Sequence, residues 1–446
     1  MSKSSKLGKL TLFNVILFGF MGQVAWAVEN NYFNTFLFNK IGGTSHDISI
    51  MVAASSVVAV ITTLLMGTLS DRVNRRKVFI CAGYIAWGFT VMSFAFISRE
   101  NVGRVLGIDA ASALAATVTL VIIMDCVMTF MGSTSNDAAF NAWITDITDT
   151  SNRARTEGIL ATLPVLALVI VTVAFGVLAS AFGYSACFMG LGILVTICGI
   201  IGLFTVKDSL GGEKKTGNFF AELIYGFRPS VIRSNKKLYL SFLCFCIFST
   251  AVQVFMPYLF IYVQHQIGLD FGNLNITPAV AILAVVVVGA VIAGAIVMGS
   301  LMDKYGKAPF AIPSLVLLIA GLVAVYFADN LVMFGIFAIV FLAGYGLLTI
   351  LFSAAIRDFT PEDKVGSFQG IRMIFGVMIP MIIGPAIGSA VTDAFALKQY
   401  VNDYGESVNV PPPHIFLATA AVALITIIPL VMLIKEWKSK EQQAQD

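Results

Sequence analysis

Three carboxylates interrupt stretches that are otherwise apolar: Glu29, Asp125 and Asp137. A charged side chain at membrane depth costs about 2.5–3.5 kcal/mol on insertion scales, so each is a functional hypothesis by default. Around Glu29, within WAVENNYFNTF (26–36), the residues Gly19, Gln23, Trp26, Glu29, Asn30 and Phe33 fall at i, i+3, i+4 and i+7 spacing. That spacing draws one polar and aromatic stripe on a helix. An aromatic ring beside amide and carboxyl groups suits a sugar, whose C–H faces stack on the ring while its hydroxyls take fixed hydrogen-bond partners. Gln23, Trp26, Glu29, Asn30 and Asp125 are therefore candidate substrate contacts, with Gln253 and Tyr345 as polar and aromatic candidates later in the chain. Two alternatives stay open: Trp26 as an interfacial belt residue, and packing for Tyr345. Glu29 and Asp125, with Asp137 as the lesser candidate, are the groups able to carry a proton across the membrane interior.

The elements that must position these groups are membrane spans. Hydrophobic residues make up 58% of the 446-residue chain and charged ones 12%, against roughly 25% charged in soluble domains, and the mean hydropathy is +0.89. Apolar blocks of about twenty residues, the length that crosses a hydrocarbon core of about 30 Å, are read near 10–38, 48–70, 78–98, 111–140, 158–182, 184–206, 238–263, 277–301, 308–327, 331–353, 368–392 and 414–434. The expected fold is an all-α membrane protein of twelve transmembrane helices, embedded in the lipid of the cell membrane. With alternate loops on opposite sides, only Lys40, Arg99, Arg104 and Lys398 of the 28 basic residues fall on the outer side. The positive-inside rule then places both termini in the cytoplasm. A secretory signal cleaved at Ala25-Trp26-Ala27 is the competing account of the N-terminus; it leaves eleven spans. The net charge of +3 carries no implication for nucleic acid, and no such partner is expected. All six cysteines lie in apolar runs without a C-x-x-C pair, so neither a metal nor a cofactor is expected.

The chain repeats itself. Gly67-Thr-Leu-Ser-Asp71-Arg72-Val-Asn-Arg75-Arg76 after the second span returns after the eighth as Gly299-Ser-Leu-Met-Asp303-Lys304-Tyr-Gly-Lys307. Asp146-Ile-Thr148, with Gly158 twelve residues after Asp146, is matched by Asp358-Phe-Thr360 and Gly370 at the same interval. Both pairs sit in equivalent inner loops of two six-span halves. The expected organisation is a six-helix bundle at 1–206, a cytoplasmic linker at 207–237, and a second bundle with a cytoplasmic tail at 238–446. Parallel repeats of this kind build many secondary transporters.

The pattern at 67–76, with its weaker copy at 299–307, resembles the signature loop of the major facilitator superfamily. Trp26-Ala-x-Glu29, Asn141-Ala-Trp-Ile-Thr-Asp146, and Gly366-Ser-Phe-Gln-Gly370-Ile-Arg372 with Pro380 and Gly384-Pro385 resemble the branch of glycoside, pentoside and hexuronide cation symporters and sucrose carriers. The resemblance implies a monomeric secondary transporter for a small-molecule substrate, a sugar or glycoside, moved by alternating access of the two halves. It also implies a cytoplasmic latch at Gly67, Asp71, Arg72 and Arg76, echoed at Asp303 and Lys304. One departure bears on coupling: the branch carries paired aspartates in its second span for sodium, whereas no carboxylate stands between Asp47 and Asp71 here. Protons are the expected coupling ion. An exporter or lipid carrier of the same fold is the second reading, and a non-transporting assembly or sensor protein the third.

Depth can be argued from the repeat. Matching Ile41-Gly42 to Ile267-Gly268 pairs Glu29 with Phe255, and matching Asp146 to Asp358 pairs Asp125 with Phe337. Each partner lies about five residues outward of its span's middle, or roughly 7–8 Å at 1.5 Å per residue. The two carboxylates are thus expected to share a layer, whereas the apolar run read alone sets Asp125 nearer the centre of its span. The signature-to-inner-loop distance is 75 residues in the first half (71 to 146) and 55 in the second (303 to 358), which leaves an excess to be placed in the outer loop or a longer fourth span. Pro257 is expected to kink the seventh span, and Gly384, Gly388, Ala295 and Gly299 to mark close helix contacts.

Overall fold

The computed structural model describes residues 7–73, 75–148, 152–208, 225–269, 304–361 and 365–445, with isolated positions between 294 and 302. Among these the chain is helical apart from one short hairpin, and ten helices are long and apolar enough to cross a membrane. The first four are Lys9–Ile41, Ser45–Ser70, Arg76–Phe96 and Leu114–Ile147. The fifth and sixth expected spans occupy one run, Arg153–Thr205, broken at Gly183, whose φ of 79° and ψ of 163° are open to glycine alone. The seventh is Lys236–Ile267, and the ninth to twelfth are Ala308–Tyr326, Leu331–Phe359, Phe368–Phe395 and His414–Trp437. The expected eighth span, at 277–301, lies almost wholly outside the described residues, as do Gly299 and Asp303.

The chain divides into two compact units. One holds the described residues up to Gly43 and those from Val57 to Asp208; the other holds Thr44–Ser56 and the described residues from Tyr225 onward. Within the first unit, the third and sixth spans approach until a Cβ on Gly88 would stand 2.5 Å from the Gly192 carbonyl oxygen and one on Gly192 2.5 Å from that of Gly88. Small residues let backbones meet where lipid supplies no hydrophobic drive for association. An aromatic cluster fills the end of this unit where the first span closes: Phe33 lies 4.3 Å from Phe94 and 4.9 Å from Phe188, ring centre to ring centre. In the second unit the ninth and tenth spans close through Gly321 and Gly344, and the seventh and eleventh through Gly384 and Gly388. Pro257 breaks the seventh span into a short 3-10 turn, Met256–Tyr258. There the buried Tyr258 hydroxyl shares its hydrogen between the Pro385 carbonyl (2.7 Å) and the Ser45 carbonyl (3.1 Å).

The repeat is visible in backbone geometry. The first span ends in a π-turn, Leu37–Ile41, stopped by Gly42 at φ 82°; the seventh ends in a π-turn, Tyr262–Ile267, stopped by Gly268 at φ 85°. Gly43 N–H closes the first on Leu37 O (2.8 Å), and Leu269 N–H closes the second on Val263 O (3.0 Å). The copies differ at the loops between the third and fourth spans of each. The third and fourth spans are separated by a helix, Arg99–Leu106, capped by Ser98 and ended by Gly107, where the ninth and tenth are joined by 327–330 alone. That helix and its following turn take up excess length of the first half. Its Arg99, fully buried, donates from Nε to the Ile41 carbonyl (2.6 Å) and so holds the end of the first span.

Candidate functional site

The first and fourth spans each carry a π-helical segment where the chemistry is: Glu29–Phe33 and Ser133–Phe140. A π-turn holds one more residue than an α-turn and shifts the phase of everything beyond it. This is why the stripe read from 3.6-residue spacing divides. Trp26 and Glu29 stay on the fourth-span side, Asn30 is exposed with its Nδ2 bonded to the Trp26 carbonyl (2.8 Å), and Phe33 turns into the aromatic cluster.

Glu29 is nine-tenths buried. Its Oε1 accepts a hydrogen bond from Thr129 Oγ1 at 2.9 Å, and its Oε2 takes none. Asp125, almost fully buried, stands one helical turn before Thr129 on the same span. The charges of Asp125 and, more weakly, Asp137 act on Glu29. The structure thus brings together the two carboxylates expected to share a layer. Trp26 forms the neighbouring wall, its ring 5.0 Å from that of Trp87. Gly132 allows this, since a Cβ there would come within 2.9 Å of both rings.

Asp137 occupies different ground. Ser133 Oγ donates to its Oδ2 (3.0 Å), and it lines a cavity of about 280 Å³ together with Gln23, Asn136, Phe140, Asn141 and Glu157. Asn136 is fixed from behind: its Nδ2 donates to Tyr84 Oη (2.7 Å), which donates in turn to the Phe18 carbonyl (2.6 Å). Of the sequence candidates, Gln23 and Asp137 line this cavity, whereas Glu29 and Asp125 lie in the helix packing beside it. Glu157, at the start of the fifth span, was missed by sequence reading because it falls in a charged inner loop. The repeat held a signal: with Gly158 matched to Gly370, Glu157 meets Gln369, a polar residue in both copies.

The remaining candidates lie elsewhere. Gln253 is half-buried against Gly384, and Tyr345 stacks on Phe248 at 5.6 Å; both belong to the second unit. In the signature loop, Gly67 is half-buried, Arg72 is exposed, and the side chain of Asp71 lies outside the described residues. Arg76 is buried and pairs through Nε with Asp146 Oδ2 at 3.0 Å, while its Nη1 donates to Ser70 Oγ (2.6 Å). Lys304 is exposed over the Tyr305 ring (5.1 Å). The counterpart of the first-half pair is Lys307 with Asp358, also joined by an ion pair. The two motifs that repeat in the sequence therefore meet each other in each copy.

The profile described as Major Facilitator Superfamily matches residues 12–297 and 271–445. The chain belongs to the major facilitator superfamily. It is a transporter rather than an enzyme, integral to the cell membrane. No curated protein matches it. Among solved structures, a bacterial homologue of the human lysosomal transporter Spinster, inward-facing and unoccupied, is similar at a TM-score of 0.71 and 13% identity, over 97% of this chain and 99% of that one. The nucleoside transporter NupG is similar at 0.65 and 12%, over 96% and 100%. At these identities the likeness is one of fold, that of the superfamily.

Proposed function

We propose that this superfamily member is a proton-coupled symporter for a sugar or glycoside, of the glycoside, pentoside and hexuronide branch, working by alternating access of halves at 1–206 and 238–446 with both termini in the cytoplasm. The observation that carries the reading is the adjacency of two unlike environments on the first and fourth spans. One is a buried carboxylate group, Glu29 beside Asp125, in which Thr129 donates to Glu29 Oε1. The other is a polar cavity flanked by Gln23, Asn136 and Asp137. Like charges shut away from water repel, and one proton relieves the repulsion. The buried group is suited to the proton and the cavity to hydroxyls. A cavity of about 280 Å³ is at the small end of ligand sites, which fits a monosaccharide-sized occupant. Its polar wall speaks against a lipid or amphiphile carrier.

The test is uptake by proteoliposomes of a panel of radiolabelled sugars, with and without an imposed inward proton gradient. The gradient is expected to drive accumulation of at least one sugar above its external concentration. Nucleosides belong in the panel, because the fold is shared with a nucleoside transporter. Accumulation of nucleosides alone, or accumulation of sugar that ignores the proton gradient, overturns the reading.

A further inference from the structure

The hydrogen-bond chain behind the cavity has a direction that its far end imposes. That end is the Phe18 carbonyl on the first span, which can only accept. Two oxygens 2.6 Å apart need a hydrogen between them, so the single hydrogen of Tyr84 Oη, on the third span, is given to Phe18. Toward Asn136 the same hydroxyl oxygen can then only accept (2.7 Å), and the group facing it must be the amide nitrogen. Packing agrees. Gly22 of the first span is buried against this nitrogen, and a Cβ there would stand 2.2 Å from Asn136 Nδ2 and 2.8 Å from Tyr84 Oη. Both N–H groups of the amide sit on that crowded nitrogen, one of them donated to Tyr84. Asn136 Oδ1, at the other end of the carboxamide, accepts no bond among the described residues. Asn136 lines the cavity, whereas Tyr84 is fully buried behind it.

We propose that Tyr84 is a positioning residue for substrate recognition: by holding the Asn136 nitrogen inward it keeps the carboxamide oxygen toward the cavity. This point of the wall then takes a hydrogen-bond donor, a substrate hydroxyl, and discriminates against groups that only accept. The proposal rests on the reading of the cavity as the substrate site. Tyr84 acts through Asn136 and not on the substrate. Without its hydroxyl the carboxamide is free to turn over, and the same point presents either sense of hydrogen bond.

The experiment measures binding to the purified full-length transporter of a panel of neutral monosaccharides, glucose and galactose among them, each with its monodeoxy and monodeoxyfluoro analogues. Fluorine on carbon accepts and never donates. At one ring position at least, the deoxy analogue is expected to bind roughly threefold to tenfold more weakly than the parent, the size of one hydrogen bond, and the fluoro analogue no better than the deoxy. Asn136→Ala should erase the preference at that position, and Tyr84→Phe should let fluorine stand in for the hydroxyl there. With Asn136→Ala already present, Tyr84→Phe should change no affinity. Tyr32→Phe removes another buried tyrosine hydroxyl, one that donates to the Thr172 carbonyl (2.9 Å), and should leave every ratio alone. Because the need for a donor is first read on the unsubstituted protein, a variant that fails to fold does not rescue the idea. Fluoro analogues that bind as tightly as their parents at every position overturn the proposal and leave sugar transport standing. So does a Tyr84→Phe effect that persists undiminished beside Asn136→Ala. Binding of no sugar overturns both.

Discussion

Thr129 gives its hydrogen to one oxygen of Glu29, and the other has no hydrogen-bond partner among the described residues. Under the proposed proton coupling, replacing a carboxyl here by its amide keeps shape and removes the exchangeable proton. Glu29→Gln or Asp125→Asn is therefore expected to abolish uphill accumulation in proteoliposomes while substrate counterflow persists. If both variants still accumulate substrate against its gradient, these carboxylates are structural. A second residue-scale prediction concerns Gly132, where a methyl would meet the rings of Trp26 and Trp87. Gly132→Ala should cost about 1–3 kcal/mol through overpacking and lower the midpoint of thermal unfolding in detergent; an unchanged midpoint would show that the rings yield freely. Part of this site was legible in the sequence. Glu29 and Asp125 stand out as charges in apolar runs, and matching the internal repeat was the one sequence argument that gave them a common depth. That Asp137 lines the cavity was not legible, because membership in a cavity depends on which way the π-segment 133–140 turns it, and no periodicity rule anticipates an added residue per turn.

At the scale of elements, the ends of the spans were easier to read than their interiors. The break between fifth and sixth spans falls at Gly183, between the blocks expected at 158–182 and 184–206, because a glycine that ends an apolar block is itself the signal. Likewise Ile41-Gly42 and Ile267-Gly268 were matched as sequence, and the structure gives both glycines the same left-handed backbone at the close of a π-turn. A Cβ there is penalised by about 1–2 kcal/mol. Gly42→Ala and Gly268→Ala should each lower thermal stability by a similar amount, and scanning fluorimetry of the two variants checks it. A loss at one position only would mean that the two ends do not do equivalent work. The helix 99–106 was not foreseen as an element: all eight of its residues fall between two apolar blocks, in a stretch too short and too polar to register as a span.

For the whole molecule, the paired motifs make a quantitative claim. Arg76 with Asp146, and Lys307 with Asp358, join corresponding parts of each copy. Arg76→Ala and Asp146→Ala should each slow transport, and the double variant should be no slower than the worse single one, with a coupling of roughly 0.5–3 kcal/mol in a double-mutant cycle. Strict additivity would show that the pair is incidental. Topology is checked by cysteine labelling: Ser234→Cys should react only from the cytoplasm and Val401→Cys, 60% exposed on the hairpin 399–401/407–409, only from outside. Reaction from the opposite faces would overturn the assignment of loops. The two copies also serve as a comparison of one ancestral unit with itself. Their repeated motifs each hold an ion pair between a cation of the first motif and the aspartate of the second, Arg76 with Asp146 and Lys307 with Asp358. Their outer connections have drifted apart: a capped helix stands in one where 327–330 suffices in the other, and a two-stranded hairpin stands in one where Gly183 suffices in the other. Duplication has held the ion-paired ends of the spans to a common plan and released the opposite ends to specialise, so chimaeras that exchange the ion-paired loops between the copies should be far better tolerated than those that exchange the opposite ones.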